Sequence, residues 1–211
     1  MSGAKEVLPF VILASGAGSN CKALLAHARK HREKFAAVAV ISDRAGAPAL
    51  DLASELGVET FVVNHKDEGA MLALLKRLRP RWAFLAGYKR IVGSGFLHFF
   101  SDKGFYRVLN IHPSLLPAYP GLGGYERAFQ DGVKVSGVTV HLVDSGLDTG
   151  RVLLQESFER EDDDDLESFM ARGRKIEHSL YPKALDLAAA GKIHLKEAHG
   201  STWVSVSGKA R

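Results

Sequence analysis

The amino-acid sequence predicts an α/β fold in which a mostly parallel sheet carries helices on both faces and ends in an antiparallel edge in the C-terminal half. Short apolar runs alternate with helical segments through the first half of the chain. A glycine-rich turn joins the first run to the first helix, and two runs with period-two alternation follow from residue 135. The 211 residues contain no internal repeat or linker, which predicts one domain.

The strands of the parallel part are predicted from continuous apolar runs, which are typical of strands buried on both faces. These runs cover residues 7–14, 36–42, 58–63, 82–87 and 107–111. Helical segments lie between the first four of them, at residues 21–33, 49–57 and 70–78. Leu24, Leu25 and Ala28 have helical spacing, and Gly57 and Pro80 end the second and third segments. Repeated strand–helix–strand units predict a Rossmann-like sheet.

The pattern changes in the C-terminal half. Residues 135–143 and 151–159 alternate with period two around the loop DSGLDTG, which predicts an antiparallel pair at one edge of the sheet. A long helical segment follows at residues 166–191, and Pro182 inside it predicts a kink. The tail, residues 196–211, shows no clear helical pattern, so we expect either a partner-binding arm or disorder.

The composition excludes several classes of protein. The formal net charge of +4 suits anionic small molecules and does not require nucleic acid. Cys21 is the one cysteine in the chain, which excludes an internal disulfide and a cysteine-based metal site and favours a reducing, cytoplasmic setting. The apolar run at residues 7–14 is too short to span a membrane, and we expect no signal peptide.

The turn SGAGSN, residues 15–20, is a candidate phosphate site. Gly16 and Gly18 let backbone N–H groups approach an anion, and Ser19 and Asn20 stand at the start of the following helix, whose dipole favours negative charge. The turn lacks the third glycine of a dinucleotide-binding loop, because Cys21 occupies that position. A tight strand-to-helix turn without a ligand is therefore the alternative.

Asn110 and His112 are candidate catalytic residues. Two residues apart in a strand, their side chains face the same side at the carboxyl end of a parallel strand, where α/β sheets bind ligands, and Pro113 ends the strand. A carboxamide and an imidazole can both donate to one developing oxyanion, and histidine also transfers protons near neutral pH. The alternative is a buried, hydrogen-bonded histidine beside a turn-forming asparagine.

The loop DSGLDTG supplies two carboxylates, Asp144 and Asp148. A carboxylate near His112 would raise the pKa of the imidazole, orient the ring and hold a water for proton transfer. The alternative is an ordinary hairpin turn, in which Asp and Gly are common. His141, on the preceding strand, is either a core residue or a neighbour of the site.

Five collinear motifs carry a resemblance to a known family: ASGAGSN, LAGYKRIV, NIHPSLLPAYPGL, GVKVSGVTVHLVDSGLDTG and EHSLYPKAL. Together they resemble the phosphoribosylglycinamide formyltransferases, or GAR transformylases, within the folate-dependent formyltransferase superfamily. HPSLLP is shared by the wider superfamily, whereas the GSN turn and EHSLYP point to the glycinamide ribonucleotide branch. The resemblance covers about residues 7–195.

The resemblance implies a reaction and its catalytic residues. The family transfers the formyl group of 10-formyltetrahydrofolate, its co-substrate, to the primary amine of glycinamide ribonucleotide in de novo purine synthesis, and it needs no metal. Asn110 and His112 would stabilise the tetrahedral oxyanion. Asp148 would support His112 and help to move the amine proton through a water.

The resemblance also implies binding residues and partners. The residues expected to bind the ribonucleotide are Gly18, Ser19, Asn20, Pro113 and Glu177. Those expected to bind the folate are Arg90, Ile91, Val92, Asn110, Asp144 and Asp148. Residues 1–195 would form the formyltransferase domain, with a phosphate- and nucleotide-binding half at 1–105 and a folate-binding, catalytic half at 106–195. A monomer or homodimer with small-molecule partners is expected, without nucleic acid or membrane.

Three departures from the family pattern put the acceptor in question. Gly123, Gly124 and Tyr125 replace a His-containing segment, and we expect a more flexible loop that has lost a polar contact. Arg151 replaces a proline, and Lys66 stands where an arginine often holds the phosphate. The alternatives are therefore a formyltransferase for another amine, such as an amino sugar nucleotide, or a non-catalytic folate- or nucleotide-binding paralogue.

Overall fold

The computed structural model describes residues 6–207. Its strands are β1 (Leu8–Leu13), β2 (Phe35–Ser42), β3 (Thr60–Val62), β4 (Trp82–Leu85), β5 (Ser101–Asp102), β6 (Phe105–Tyr106), β7 (Val108–His112), β8 (Val135–Leu142), β9 (Val152–Glu159), β10 (Ile193–Ala198) and β11 (Ser201–Val206). Its helices are α1 (Ser19–Lys30), α2 (Pro48–Glu55), α3 (Glu68–Leu78), α4 (Ser94–Phe99), α5 (Gly124–Gln130) and α6 (Leu166–Ala189).

The central sheet has seven strands in the order β3-β2-β1-β4-β7-β8-β9. The first five are parallel to one another, whereas β8 pairs antiparallel to β7 and β9 antiparallel to β8. The predicted fold class is therefore confirmed, including its antiparallel edge. Because β7 has a parallel neighbour on one side and an antiparallel neighbour on the other, it lies at the boundary between the two parts of the sheet.

Helices cover both faces of the sheet, and alternate residues of the strands pack against each face. In β1, Phe10 and Ile12 belong to the apolar cluster under α1 and α6, whereas Val11 and Leu13 belong to the cluster under α3 and α4. All four side chains are fully buried, which explains why this strand is a continuous apolar run in the sequence. Within residues 6–207, no helix is long and apolar enough to cross a membrane.

The C-terminal segment differs from the sequence-based expectation of an arm or a disordered tail. Strands β10 and β11 pair antiparallel in a hairpin that begins at Ile193 and ends at Val206. His199 and Gly200 form its tight turn with φ of 53° and 73°, the left-handed backbone that two-residue hairpin turns require. The boundary that the sequence suggests after residue 195 therefore falls within β10. Residues 208–211 of the expected tail lie outside the described residues.

Two short helices are also absent from the sequence-based prediction. One is α4, which follows the LAGYKRIV motif, and the other is α5, which begins at Gly124 inside the segment expected to be a flexible loop. The long helix α6 matches its prediction closely and includes Pro182. It ends at Ala189, shortly before Gly191, which has a φ of 62°.

Tyr181 on α6 connects that helix to the sheet beneath it. Its side chain is fully buried, and its hydroxyl lies 2.9 Å from the carbonyl oxygens of Leu85 on β4 and Leu109 on β7. Burial raises the pKa of this phenol well above its ordinary value, so the hydroxyl keeps the proton that it donates. The contact holds α6 against the two strands whose ends form the site described below.

Replacing Tyr181 with Phe should lower the free energy of unfolding by about 1–2 kcal/mol, because the buried carbonyls lose a donor while the ring still fills its space. Urea denaturation measures the change. Tyr119→Phe is the matched control: it removes a hydroxyl bonded to exposed Asp131 and should change stability by less than about 0.5 kcal/mol. Equal losses in the two variants would contradict this account of the α6 contact.

Candidate functional site

A cavity of about 300 Å³ opens at the carboxyl ends of β4 and β7, between the segment that follows β4 and the loop that joins β8 to β9. Ligands bind in such crevices of α/β sheets. The cavity brings together many residues that the sequence predicts for the site. Those that line it are Arg90, Ile91, Val92, Asn110, His112, Pro113, Asp144 and Asp148.

Asp148 lies at the centre of the polar groups in this cavity. Its Oδ2 accepts a hydrogen bond of 2.7 Å from the N–H of Gly121 and lies 3.3 Å from Nδ1 of His112. Its Oδ1 accepts from Nδ2 of Asn110 at 3.3 Å and lies 3.6 Å from Nε2 of His141. Asp148 has a φ of 54°, a backbone conformation that is uncommon for residues other than glycine and that often occurs at functional sites.

These contacts favour the ionised form of Asp148. Burial alone raises the pKa of the carboxyl group, but His141, the Gly121 N–H and the nearby His112 more than offset that effect and lower the pKa to about 2. Asp148 therefore carries a negative charge throughout the neutral range, in a pocket where only 10% of its side chain is exposed.

His112 is buried, and its two ring nitrogens face different acceptors. Nε2 lies 2.8 Å from the carbonyl oxygen of Tyr119, so Nε2 carries a proton, and Nδ1 faces Asp148. Burial lowers the pKa of His112, whereas the Tyr119 carbonyl and the Asp148 carboxylate oppose that shift. The Asp148 carboxylate raises the pKa as the sequence predicts, but desolvation is the larger effect and the pKa is lowered overall. The neutral ring leaves Nδ1 free to accept a proton.

His141, whose role the sequence leaves open, is a buried neighbour of the site. Strand pairing places His141 on β8 directly opposite Asn110 on β7. Nδ1 of His141 lies 3.0 Å from the Leu142 carbonyl and so carries a proton, which leaves Nε2 as the acceptor for Asn110 Nδ2 at 3.1 Å. His141 and Asp148 together orient the carboxamide of Asn110 so that its N–H groups lie at the cavity.

Asp43 is a residue of this region that the sequence analysis missed. Arg90 turns its guanidinium towards Asp43, with Nε 2.7 Å from Oδ2. The carboxylate is almost fully buried; burial alone raises its pKa, but hydrogen bonds from Arg90 and Ser15 lower it overall. Asp43 therefore anchors the segment that contains Ile91 and Val92. Its position directly after β2, at the carboxyl end of a parallel strand, is the signal that identifies it.

The residues expected at the phosphate end form a separate group outside the walls of this cavity. Gly18 precedes α1 with a φ of 80°, and a Cβ there would lie 2.8 Å from Cβ of Ala49, so only glycine fits without strain. Ser19 begins the helix and is exposed. The side chain of Asn20 donates through Nδ2 to Oε2 of Glu177 on α6. The structure thus brings Asn20 and Glu177 together, 157 residues apart in sequence.

The segment Gly123-Gly124-Tyr125 is not the flexible loop expected from its two glycines. Gly124 begins α5, and a Cβ on it would lie 2.6 Å from the carbonyl oxygen of Pro113. Tyr125 is only 3% exposed, and its hydroxyl donates to Oε1 of Glu177 at 2.7 Å. The tyrosine therefore makes a buried polar contact of its own at this position.

The two remaining departures lie at the surface. Lys66 is exposed in the connection between β3 and α3, where its backbone N–H donates to Oδ1 of Asn64. Arg151 donates from Nε to the carbonyl of Thr202 at 3.1 Å, which ties the loop after Asp148 to the C-terminal hairpin. Among the described residues, no group of three or more His, Cys, Asp or Glu side chains is arranged to hold a metal ion.

Comparison with known proteins identifies relatives of this chain. A model of the formyl transferase family matches residues 8–185. The phosphoribosylglycinamide formyltransferase of Bacillus subtilis is 34% identical over 183 residues, which are 83% of this chain and 92% of that protein. The trifunctional purine biosynthetic protein adenosine-3 of Bos taurus is 35% identical over 201 residues, or 92% of this chain, but the match spans only 20% of that longer protein.

Solved structures give the same result. The glycinamide ribonucleotide transformylase 1 of Symbiobacterium toebii has a TM-score of 0.87 and 33% identity, with 97% of this chain and 99% of that chain covered. The phosphoribosylglycinamide formyltransferase of Anaplasma phagocytophilum has a TM-score of 0.89 and 33% identity, with 98% and 96% covered. These matches confirm the resemblance drawn from the five sequence motifs.

The depressed pKa of Asp148 predicts a specific pH dependence of stability. The native state favours the ionised carboxylate, so its contribution is complete above the ordinary pKa near 3.8 and is lost as the pH falls towards about 2. Urea denaturation measures the free energy of unfolding of the unaltered protein and of Asp148→Asn at each pH from 6 to 2.5. The difference between the two proteins should shrink by about 2 kcal/mol as the pH falls across that range. Parallel stability curves for the two proteins would contradict the proposed charge contacts.

Proposed function

We propose that this chain, which belongs to the formyl transferase family, transfers the formyl group of 10-formyltetrahydrofolate to the primary amine of glycinamide ribonucleotide in de novo purine synthesis. The observation that carries the proposal is the convergence of Asn110, His112 and Asp148 on one cavity. A carboxamide donor, a neutral imidazole and a buried carboxylate are the groups that acyl transfer to an amine requires.

In the proposed mechanism, each of the three side chains contributes to one step. The amine nitrogen attacks the formyl carbon, and the formyl oxygen takes the negative charge of the tetrahedral intermediate. Asn110 exchanges its long hydrogen bond to Asp148, 3.3 Å, for a bond from Nδ2 to that oxygen. His112 accepts the proton of the attacking amine at Nδ1, directly or through a water held by Asp148.

Asp148 makes the proton transfer favourable. Once Nδ1 is protonated, His112 is a cation flanked by the Tyr119 carbonyl and the Asp148 carboxylate, both of which accept its hydrogen bonds. The imidazolium stabilises the adjacent oxyanion and then returns the proton to the departing folate nitrogen as the carbon–nitrogen bond breaks. The base that accepts the first proton is thus the acid for the second step.

The cavity has a lining that suits the flat heterocycle of the folate co-substrate. Its volume of about 300 Å³ lies at the lower end of the range for small-molecule sites. Ile91, Leu122 and Leu147 are exposed apolar residues at its rim, and a flat heterocycle can cover them. Asp43 fixes the Arg90 segment, and Asp144 stabilises the opposite loop by accepting from the N–H of Gly146 at 3.0 Å.

The turn from Gly18 to Asn20 is the proposed site of the ribonucleotide phosphate. It opens the 12-residue helix α1, whose unpaired N–H groups and dipole favour an anion. Glu177 and Pro113 complete this end of the proposed substrate site. Tyr125 makes a polar contact with Glu177. The complete set of proposed catalytic groups argues against a non-catalytic paralogue.

The proposal also covers the two halves of the chain, the oligomeric state and the cellular setting. Residues 1–105 supply the phosphate side and residues 106–195 supply most of the folate and catalytic side, as the resemblance implies. A monomer or a homodimer that acts on these small molecules remains the proposed form of the protein. Cys21 is buried, and burial raises its pKa to about 12, which accords with an unreactive thiol in the proposed cytoplasmic setting.

Turnover of glycinamide ribonucleotide with 10-formyltetrahydrofolate, followed by absorbance of the deformylated folate, tests the proposal. We expect His112→Ala to lower kcat by about 100-fold to 1000-fold, because both the proton acceptor and the oxyanion stabiliser are lost. The control is His98→Ala, which removes an exposed ring bonded to the Ser94 carbonyl within α4 and should leave kcat unchanged.

Two results would contradict the proposal. Turnover with an amino sugar nucleotide and none with glycinamide ribonucleotide would exclude the acceptor. A kcat for His112→Ala close to that of the His98→Ala control would exclude the mechanism.

A further inference from the structure

A buried chain of hydrogen bonds connects three helices at the ribonucleotide end of the proposed site. The hydroxyl of Tyr125 on α5 donates to Oε1 of Glu177 on α6 at 2.7 Å. The carboxamide of Asn20 on α1 donates to Oε2 of the same carboxylate. All three residues are at most 9% exposed. Each oxygen of Glu177 thus has one donor, and the two donors come from α5 and α1, which both pack against α6.

The packing around Tyr125 shows that the position is built for this ring. Its aromatic neighbours are Phe158 and Phe169, each with a centroid 6.3 Å away in an edge-to-face arrangement. Gly173 faces the ring from α6, and a Cβ on that glycine would overlap the phenol carbon and hydroxyl. The hydroxyl is therefore directed towards Glu177, one turn further along the same helix.

Tyr125 acts as a donor in this contact. Burial, and then the nearby carboxylate of Glu177, raise the pKa of the phenol far above its ordinary value. The hydroxyl therefore keeps its proton and donates it. A buried carboxylate oxygen without a donor is costly, so removal of this hydroxyl would favour a different orientation of Glu177.

Asn20 depends on that orientation. Its Nδ2 donates to Glu177, while its Oδ1 is buried and has no hydrogen-bond partner among residues 6–207. The carboxamide is therefore held from one side only. Its backbone lies in the first turn of α1, directly after Gly18 and Ser19. A change at Glu177 would consequently reach the phosphate turn through this single contact.

We propose that Tyr125 is a positioning residue for the acceptor: through Glu177 it fixes Asn20 and the turn that binds the phosphate of the ribonucleotide. This inference rests on the proposed function. It gives the tyrosine a role in the affinity for one substrate and none in the chemical step, because Tyr125 does not line the cavity that contains Asn110, His112 and Asp148.

The test is steady-state kinetics of Tyr125→Phe with both substrates varied. This change keeps the ring and its packing and removes only the hydroxyl. The KM for glycinamide ribonucleotide should rise about tenfold, the size of effect expected for one hydrogen bond to a charged group. The kcat and the KM for 10-formyltetrahydrofolate should stay within about twofold, because the groups at the reacting carbon are untouched.

A double-mutant cycle tests whether the effect passes through Asn20. If Tyr125 acts by way of Glu177 and Asn20, adding Tyr125→Phe to the Asn20→Ala variant should raise the KM for glycinamide ribonucleotide little further, so the double variant should have nearly the same KM as Asn20→Ala alone. Additive increases in KM would overturn the proposed route. Glu177→Gln provides a second variant of similar shape and should raise the same KM selectively.

Tyr181→Phe is the matched control for stability. It removes another buried tyrosine hydroxyl, this one on α6, whose hydrogen bonds go to backbone carbonyls of β4 and β7 rather than to Glu177. It should lower thermal stability without changing the KM for glycinamide ribonucleotide. An unchanged KM in Tyr125→Phe, or an equal decline of all constants in both tyrosine variants, would overturn the inference alone. Absence of turnover of glycinamide ribonucleotide by the unaltered protein would overturn the proposed function together with it.

Discussion

The carboxylate of Asp148 lies between two side chains of one strand and the N–H of Gly121, and the arrangement of the candidate active site depends on those contacts. Asn110 and His112 emerge from β7 on the same face, but a shared face does not determine how each side chain is turned. Asp148 accepts hydrogen bonds from Asn110 and from the backbone of the loop after Pro117, and its second oxygen also faces Nδ1 of His112. Asp148 makes these contacts from a left-handed backbone conformation, which costs free energy in a residue other than glycine.

The position of β7 in the sheet makes these contacts possible. Its parallel neighbour β4 opens the crevice in which a ligand can bind, and its antiparallel neighbour β8 carries His141 opposite Asn110. The β8–β9 connection then returns to the same edge and delivers Asp148. A fully parallel sheet would need a long crossover at that point, whereas the antiparallel edge brings a short loop to the carboxyl end of β7.

The hydrophobic periodicity of the sequence predicts the strands and the face on which two of the site residues lie. Continuous apolar runs identify the parallel strands, and the two-residue spacing places Asn110 and His112 on one face. The contact between Tyr125 and Glu177 spans 52 residues and depends on the missing side chain of Gly173, so no local pattern reveals it. The sign of the His112 pKa shift depends on burial, which only the folded chain determines. The C-terminal hairpin was missed because a His-Gly turn is a weak local signal.

Nuclear magnetic resonance of the His112 imidazole nitrogens measures the central interaction most directly. In the unaltered protein at neutral pH, the ring should be neutral with its proton on Nε2, and its titration midpoint should lie below the ordinary value near 6.5. In Asp148→Asn the midpoint should fall further, because the negative charge that favours the imidazolium is gone. An identical midpoint in both proteins would contradict the account, since it would show that Asp148 does not control the charge of His112.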